Sequence, residues 1–152
     1  MVYSDEKGHG NMNNKKKRFT IAVVCMLFLA LASIYSVPKL RTVLFVKMYY
    51  ELIEENLKAG NGVPAEEAVF LGYKYVNSWD GSYPMTEFVI MTYGDTYYGC
   101  YYSPDDVPLA FQNTEATLKQ TGKNTWKWEA EGDNHGSISR IMEHWYYFNA
   151  SF

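Results

Sequence analysis

The longest hydrophobic pattern in the chain is an uninterrupted apolar run over residues 19–37. No charged side chain lies between Phe19 and Pro38. A helix that rises 1.5 Å per residue needs about 20 residues to cross a hydrocarbon layer of about 30 Å. Because the run is apolar on every side, it does not have the polar face of an amphipathic surface helix. The pattern therefore predicts a transmembrane anchor over residues 19–38.

A cleaved signal peptide is the alternative interpretation of the same run. Ala30, Leu31 and Ala32 have the small-x-small form of a cleavage site, and the apolar residues before them have the length of a signal-peptide core. The run continues beyond this point through Ile34 and Val37, which favours a retained anchor. Cleavage near Ala32, which would release a secreted domain, stays open as an alternative.

Basic residues at the two ends of the run predict its orientation. Five lie before it, four of them adjacent as residues 15–18, and three lie soon after it: Lys39, Arg41 and Lys47. The excess on the N-terminal side favours a cytoplasmic N-terminus. We therefore expect a disordered cytoplasmic tail over residues 1–18 and an extracytoplasmic domain over residues 39–152, at a cell membrane.

A second helical pattern follows Pro38. Apolar residues recur at steps of three and four, and acidic residues fall largely on another face. The apolar positions are Val43, Val46, Tyr50, Ile53 and Leu57. Glycines at 60 and 62 end the pattern, and Pro64 predicts a further short helix over residues 65–71.

In the rest of the domain, segments of alternating apolar and polar residues are separated by turn residues, which is typical of β-strands. Strands are predicted over residues 73–77, 85–93, 96–103, 126–131 and 139–152. Gly94 and Asp95 indicate a hairpin turn, and Trp126 and Trp128 alternate with Lys127 and Glu129 on opposite faces. A loop with a short helix near residues 115–120 is expected between the third and fourth strands.

These elements predict an α+β fold in which one or two helices pack on an antiparallel sheet of four to five strands. The element order resembles cystatin-like or NTF2-like rolls, and the general layout is similar to small membrane-anchored bacterial proteins. A resemblance in element order does not imply an activity.

Charge limits the class of partner, and cysteine content limits the way in which the domain is stabilised. Residues 1–18 have net charge +3, so the remainder has −6 of the total of −3. An acidic domain without a basic cluster argues against nucleic acid as a partner. Cys100 is the only cysteine after the apolar run, so the domain cannot be held by an internal disulfide.

Aromatic residues supply the first candidate site. Tyr, Trp and Phe are concentrated after residue 39, and adjacent pairs on a strand must face opposite sides of the sheet. A sheet with rings on both sides is expected to expose some of them to a partner. The candidate binding surface consists of Tyr98, Tyr102, Trp126, Trp128, Trp145 and Tyr147.

A weaker polar site involves Asp133, His135 and His144. An Asp and a His two residues apart can supply two metal ligands or an acid–base pair. The same segment, Gly132 to Gly136, is also an ordinary hairpin connection, and that interpretation is favoured. His144 is expected in the final strand. Asp105 and Asp106 are expected in a solvated turn.

The function expected from the sequence is binding without catalysis. We expect a membrane-anchored extracytoplasmic module that contacts lipid through residues 19–38 and binds a protein, peptide or cell-wall component. No cofactor is expected. The alternative is a small hydrolase or metal-dependent enzyme that uses Asp133 and His135.

Overall fold

The computed structural model describes residues 9–65, 71–80 and 82–152. The chain divides between Ser36 and Val37 into two compact units. The first contains helix α1, His9–Ser36, and the second contains helix α2, Pro38–Lys58, together with a β-sheet.

Helix α1 includes a segment, Lys15–Ile34, that is long and apolar enough to span a membrane. Its large apolar side chains are exposed, among them Phe19, Leu27 and Phe28. A signal sequence near an N-terminus has the same properties. Of the predicted tail, residues 9–18 continue this helix, and residues 1–8 lie outside the described part of the chain.

Helix α2 follows the predicted apolar pattern. It begins at Pro38, which fits the first turn because its missing N–H would have no partner there. It ends at Lys58, and Gly60 has a φ of 73°, the left-handed conformation expected after a helix. Its buried face includes Phe45, Val46 and Ile53. The further helix predicted over residues 65–71 falls mainly on residues 66–70, outside the described part of the chain.

The sheet has seven antiparallel strands in the order β1-β2-β3-β7-β6-β5-β4. Their bounds are Tyr75–Trp79, Met85–Tyr93, Thr96–Tyr102, Thr117–Gly122, Thr125–Glu129, His135–Met142 and Trp145–Ser151, for β1 to β7. The α+β class and the antiparallel pairing are confirmed, whereas the prediction of four to five strands is wrong.

Two segments account for the extra strands. The short helix predicted near residues 115–120 is strand β4, which pairs with β5. The predicted long strand over residues 139–152 is interrupted by a turn at Glu143 and His144 and contributes to both β6 and β7. His144 has a φ of 63°, so it reverses the chain instead of extending it.

One face of the sheet, which we call the helix side, packs against α2. Phe45 of the helix lies 5.6 Å from Phe88 of β2, and Phe88 lies 5.9 Å from Trp145 of β7, measured between ring centroids. The Trp145 indole Nε1–H donates to Glu54 Oε1 of α2 at 2.9 Å. This bond satisfies the polar atom of a fully buried ring and fixes the helix on β7.

The other face, which we call the core side, packs against the connection between β3 and β4. This connection, residues 103–116, contributes Leu109, Ala110 and a one-turn 3-10 helix, Phe111–Asn113. The ring centroid of Phe111 lies 5.0 Å from that of Phe148. The sheet residues buried beneath it include Val89, Tyr101, Trp128, Ile138, Tyr146 and Phe148. The connection is therefore part of the hydrophobic core.

Asp106 ties this connection to the turn between β6 and β7. Its carboxylate accepts bonds from the backbone N–H of His144 at 2.9 Å and from the hydroxyl of Tyr146 at 3.0 Å. It also pairs with the guanidinium of Arg140. The expected solvated turn is thus an anchored one. Neighbouring Asp105 is exposed.

The surroundings of Asp106 favour its charged form. Burial acts to raise the pKa of this carboxyl, but the bonds from His144 and Tyr146 and the charge of Arg140 outweigh it. The net effect lowers the pKa below the ordinary 3.8. Burial and the adjacent carboxylate raise the pKa of Tyr146 to about 12, so its hydroxyl remains a donor.

We expect Asp106→Asn to lower the free energy of unfolding by about 1 to 2 kcal/mol, because charge-assisted bonds are replaced by neutral ones. Asparagine tolerates the positive φ of 54° at this position, so the backbone is not the cause. The measurement is urea denaturation followed by tryptophan fluorescence. The stabilisation that the Asp106 carboxylate gives the wild-type protein is fully present above pH 3.8, the ordinary pKa of this group. It is lost as the pH falls through the lower pKa that Asp106 has in the folded state. Asp105→Asn is the control, and equal effects of the two substitutions would contradict the anchoring role.

Candidate functional site

The predicted aromatic surface does not form one exposed face. Tyr102, Trp145 and Tyr147 are buried on the helix side, and Tyr98 is half-buried on the same side. Lys39 of α2 lies over the Tyr147 ring, 5.3 Å from Nζ to the centroid. These rings are covered because the helix packs across β3 and β7, a contact that the sequence pattern does not specify.

The two remaining rings of that surface face the core side. Trp128 is 2% exposed and belongs to the hydrophobic core, and half-buried Trp126 packs against it. Their orientation follows from the alternation of β5, which was predicted correctly. The six rings are thus divided between two faces, and most of their area serves packing.

The predicted polar site is not assembled either. His135 Nδ1 lies 2.6 Å from the backbone carbonyl oxygen of Asp133, so the contact is a local turn bond and does not involve the carboxylate. A carbonyl oxygen can only accept, so Nδ1 is the donor in this contact. This geometry fits the hairpin interpretation of residues 132–136.

His144 lies at the other end of β6. Its ring Nδ1 is 3.2 Å from the carbonyl oxygen of Ser103, beside the Asp106 anchor. At about 3.3 Å per residue, the eight residues of β6 separate His135 from His144 by roughly 20 Å or more. Within the described residues no group of three or more His, Cys, Asp or Glu side chains is placed to hold a metal ion.

A row of polar side chains crosses five strands on the helix side. Strand registers place each member directly opposite the next, and the row runs outward from β3 through β7, β6 and β5 to β4. Its members are Tyr98, Asn149, Ser137, Lys127 and Lys119. The Ser137 hydroxyl and backbone N–H both donate to Asn149 Oδ1, at 2.8 and 2.9 Å, so the centre of the row is held in a fixed geometry.

A second row runs parallel to the first, one pleat away on the same side. Its members are Thr96, Ser151, His135, Glu129 and Thr117. The hydroxyls of Thr96 and Ser151 are 2.9 Å apart and hydrogen-bonded. We call the surface formed by the two rows the open face. Its members on β4 and β5, together with His135, are exposed.

The open face contains a groove of about 370 Å³. It is lined by polar members of both rows and by the backbone at Gly136. Gly136 has no space for a side chain, because a Cβ there would lie 2.6 Å from Trp128 Nε1 and 2.3 Å from the Asn149 carbonyl oxygen. A side chain at Gly136 would point to the core side, so its absence makes room for the Trp128 indole, which lies against the backbone beneath the groove.

Lysines give the outer part of the open face a positive character. Lys119 and Lys127 lie directly opposite each other on neighbouring strands. Like charges in this arrangement repel, which destabilises the pair in the absence of an anion. Among the described residues neither lysine forms an ion pair.

Glu87 is a buried carboxyl that the sequence interpretation did not single out. It is fully buried on the core side of β2, where the Gln112 backbone N–H donates to Oε2 at 3.0 Å. Oε1 has no hydrogen-bond partner in the described structure. Burial raises the pKa of Glu87 to about 7. The signal in the sequence is a single acidic residue inside an otherwise apolar and β-branched strand.

Cys100 lies on the opposite side of the same part of the sheet. It is completely buried, and burial raises the pKa of its thiol, so the reactive thiolate is disfavoured.

No protein-family model, curated protein or solved structure matches this chain. The resemblance of element order to cystatin-like or NTF2-like rolls therefore stays a prediction. The site must be interpreted from its own residues.

We expect Glu87→Gln to remove a pH dependence of folding. The folded domain keeps the Glu87 proton between pH 4.5 and about 7, where the unfolded chain loses it. The free energy of unfolding should therefore fall as pH rises through this window, on the order of 3 kcal/mol for a shift of this size. Denaturation curves at pH 4.5, 6 and 8 test this, with exposed Glu129→Gln as the control for loss of one carboxylate. Parallel wild-type and Glu87→Gln profiles would contradict it.

Proposed function

We propose that this chain is a single-pass membrane protein that holds a binding domain outside the cytoplasm. The apolar segment Lys15–Ile34 is the anchor, and the unit that begins at Val37 is the binding domain. Four adjacent basic residues, 15–18, support a cytoplasmic position for the N-terminal end. The alternative with the same segment is a signal peptide cleaved near Ala32.

The observation that carries the binding role is the open face. Two rows of largely polar side chains cross five strands, and the exposed members on β4, β5 and β6 are lysine, threonine, glutamate and histidine. Ordered donors and acceptors around a groove give orientation to a bound partner. The partner we propose is a protein, peptide or cell-wall component bound here. Of the six predicted aromatic residues, only Tyr98 belongs to this face.

Binding without catalysis is supported by the positions of the titratable groups. His135 and His144 lie at opposite ends of β6, and the Asp133 carboxylate is not hydrogen-bonded to His135 in the described structure. A hydrolase needs such groups to converge on one reacting atom. No specific observation favours the alternative enzyme built on Asp133 and His135.

Topology is tested with a C-terminal reporter that is active only outside the cytoplasm. We expect activity in the membrane fraction and no activity when the reporter is fused directly after Arg18, because that fusion lacks the apolar segment that would carry the reporter across the membrane. Activity in the medium that moves to the membrane in Ala32→Leu would identify a cleaved signal. Inactivity of the C-terminal fusion would contradict the orientation.

The location of the binding surface is tested by photo-cross-linking of the full-length chain in cells that produce it naturally. We replace Thr117, an exposed residue of the open face, with p-benzoylphenylalanine and expect a light-dependent adduct of defined mass on a gel. The matched control carries the same residue at Tyr83, which is 53% exposed in the connection between β1 and β2. Adducts of equal yield at both positions, or none at position 117, would contradict binding at the open face.

A further inference from the structure

Strand β4 forms one lateral edge of the sheet. The strand order ends at β4, so β5 pairs with it on one side and no strand of the described sheet lies on the other. All its residues except Leu118 are exposed. An exposed edge of this kind is a template for pairing with another extended chain.

The backbone hydrogen bonds of β5 show which backbone N–H and C=O groups of β4 point away from the sheet. The Ala130 N–H donates to the Asn134 carbonyl and the Arg140 N–H to the Asn124 carbonyl, each at 2.9 Å. Even-numbered residues of β5 therefore bond toward β6 and odd-numbered ones toward β4, because the direction alternates along a strand.

The pairing of β5 with β4 shows which residues of β4 bond toward β5. Lys127 pairs with Lys119 and Glu129 with Thr117, so those β4 residues bond inward. The backbone N–H and C=O groups of Leu118 and Gln120 then point away from the sheet. They present a short ladder that an incoming strand can complete.

The charge of this edge differs from that of the rest of the folded unit. The hairpin of β4 and β5 contains Lys119, Lys123 and Lys127 against Glu129, a net charge of +2, whereas residues 37–152 together carry −6. The facing pair of lysines lacks an ion-pair partner among the described residues. A carboxylate placed beside Lys119 would relieve their repulsion.

We propose that the partner of the open face is an extended acidic peptide that adds to the sheet as a strand beside β4. The inference rests on the proposed binding function and names the chemistry of its partner. Alternate acidic side chains of the peptide lie on the open face next to Lys119, and Lys127 lies one strand further into the sheet. The intervening side chains lie on the core side, next to Leu118.

Charge also disfavours a second copy of this chain as the occupant. Edge-to-edge pairing of two β4 strands would bring the basic hairpins together, and like charges on facing strands repel. An acidic strand meets the same edge with attraction at Lys119.

The test uses the full-length chain in nanodiscs of neutral phosphatidylcholine and a fluorescein-labelled eight-residue peptide of alternating glutamate and valine. Fluorescence anisotropy should show binding at least about tenfold tighter than for a glutamine–valine peptide of the same length, with affinity falling as salt rises. The double variant Lys119→Gln with Lys127→Gln should remove this preference and most of the salt dependence.

The strand-addition geometry is tested at Gln120. Gln120→Pro removes one outward N–H and should weaken binding by about tenfold, since edge positions tolerate proline without loss of a sheet bond. Gln120→Ala loses the same side-chain bonds to the carbonyls of Gly122 and Lys123, so it is the matched control and should bind as the wild type does. Thermal unfolding of the two variants should agree.

Three results would overturn the proposal. They are equal affinity for acidic and neutral peptides, full affinity in Gln120→Pro, and inorganic polyphosphate that displaces the peptide and binds Gln120→Pro as tightly as the wild type. The last result would assign the lysines to a polyanion. Each leaves cross-linking from position 117 unaffected, so failure of the acidic-strand proposal is distinguishable from failure of the binding function. If Gln120→Pro does not fold, the lysine double variant still decides the question.

Discussion

The structure depends on covering a sheet that has aromatic and aliphatic side chains on both faces. Seven strands at about 4.8 Å spacing span about 29 Å, whereas a helix with its side chains is only about 10 Å wide. Helix α2 therefore covers the part around β2, β3 and β7, and cannot reach β4 and β5. The uncovered strands carry Lys, Thr and Glu on that side, which is why they can remain in water.

The second cover is an irregular segment, and irregular segments need specific bonds to hold them. Residues 103–116 contribute Phe111 to the core but form no long regular element. The Asp106 carboxylate supplies the fixed point, because it binds the His144 N–H and the Tyr146 hydroxyl at once. The same bond stabilises the positive φ of His144, so one side chain closes the core and sets the last hairpin.

Local patterns in the sequence predicted the parts of the fold that local physics decides. The apolar run, the spacing of Val46 and Ile53 in α2, the Gly94 hairpin and the alternation around Trp128 all follow from residue type and spacing. Strand β4 was missed because Leu118 is its only large apolar residue. The turn at His144 was missed because its geometry depends on Asp106, 38 residues away.

The candidate site depended on information of longer range. The alternation of Lys127 and Glu129 was visible in the sequence, but the rows to which they belong require the register of five strands. Burial of Tyr102 and Trp145 likewise requires the position of α2. Propensity makes an aromatic strand probable, while tertiary packing decides which of its rings reach water.

Gly136 allows the Trp128 indole, a natural fluorophore, to lie next to the groove of the open face. Only backbone separates the groove from the Trp128 indole, and that indole is otherwise enclosed by the core. A partner bound in the groove, as proposed, would change the surroundings of this ring from the open side. The intrinsic emission of Trp128, one of the four tryptophans of the chain, would then respond to occupancy of the open face without an attached dye.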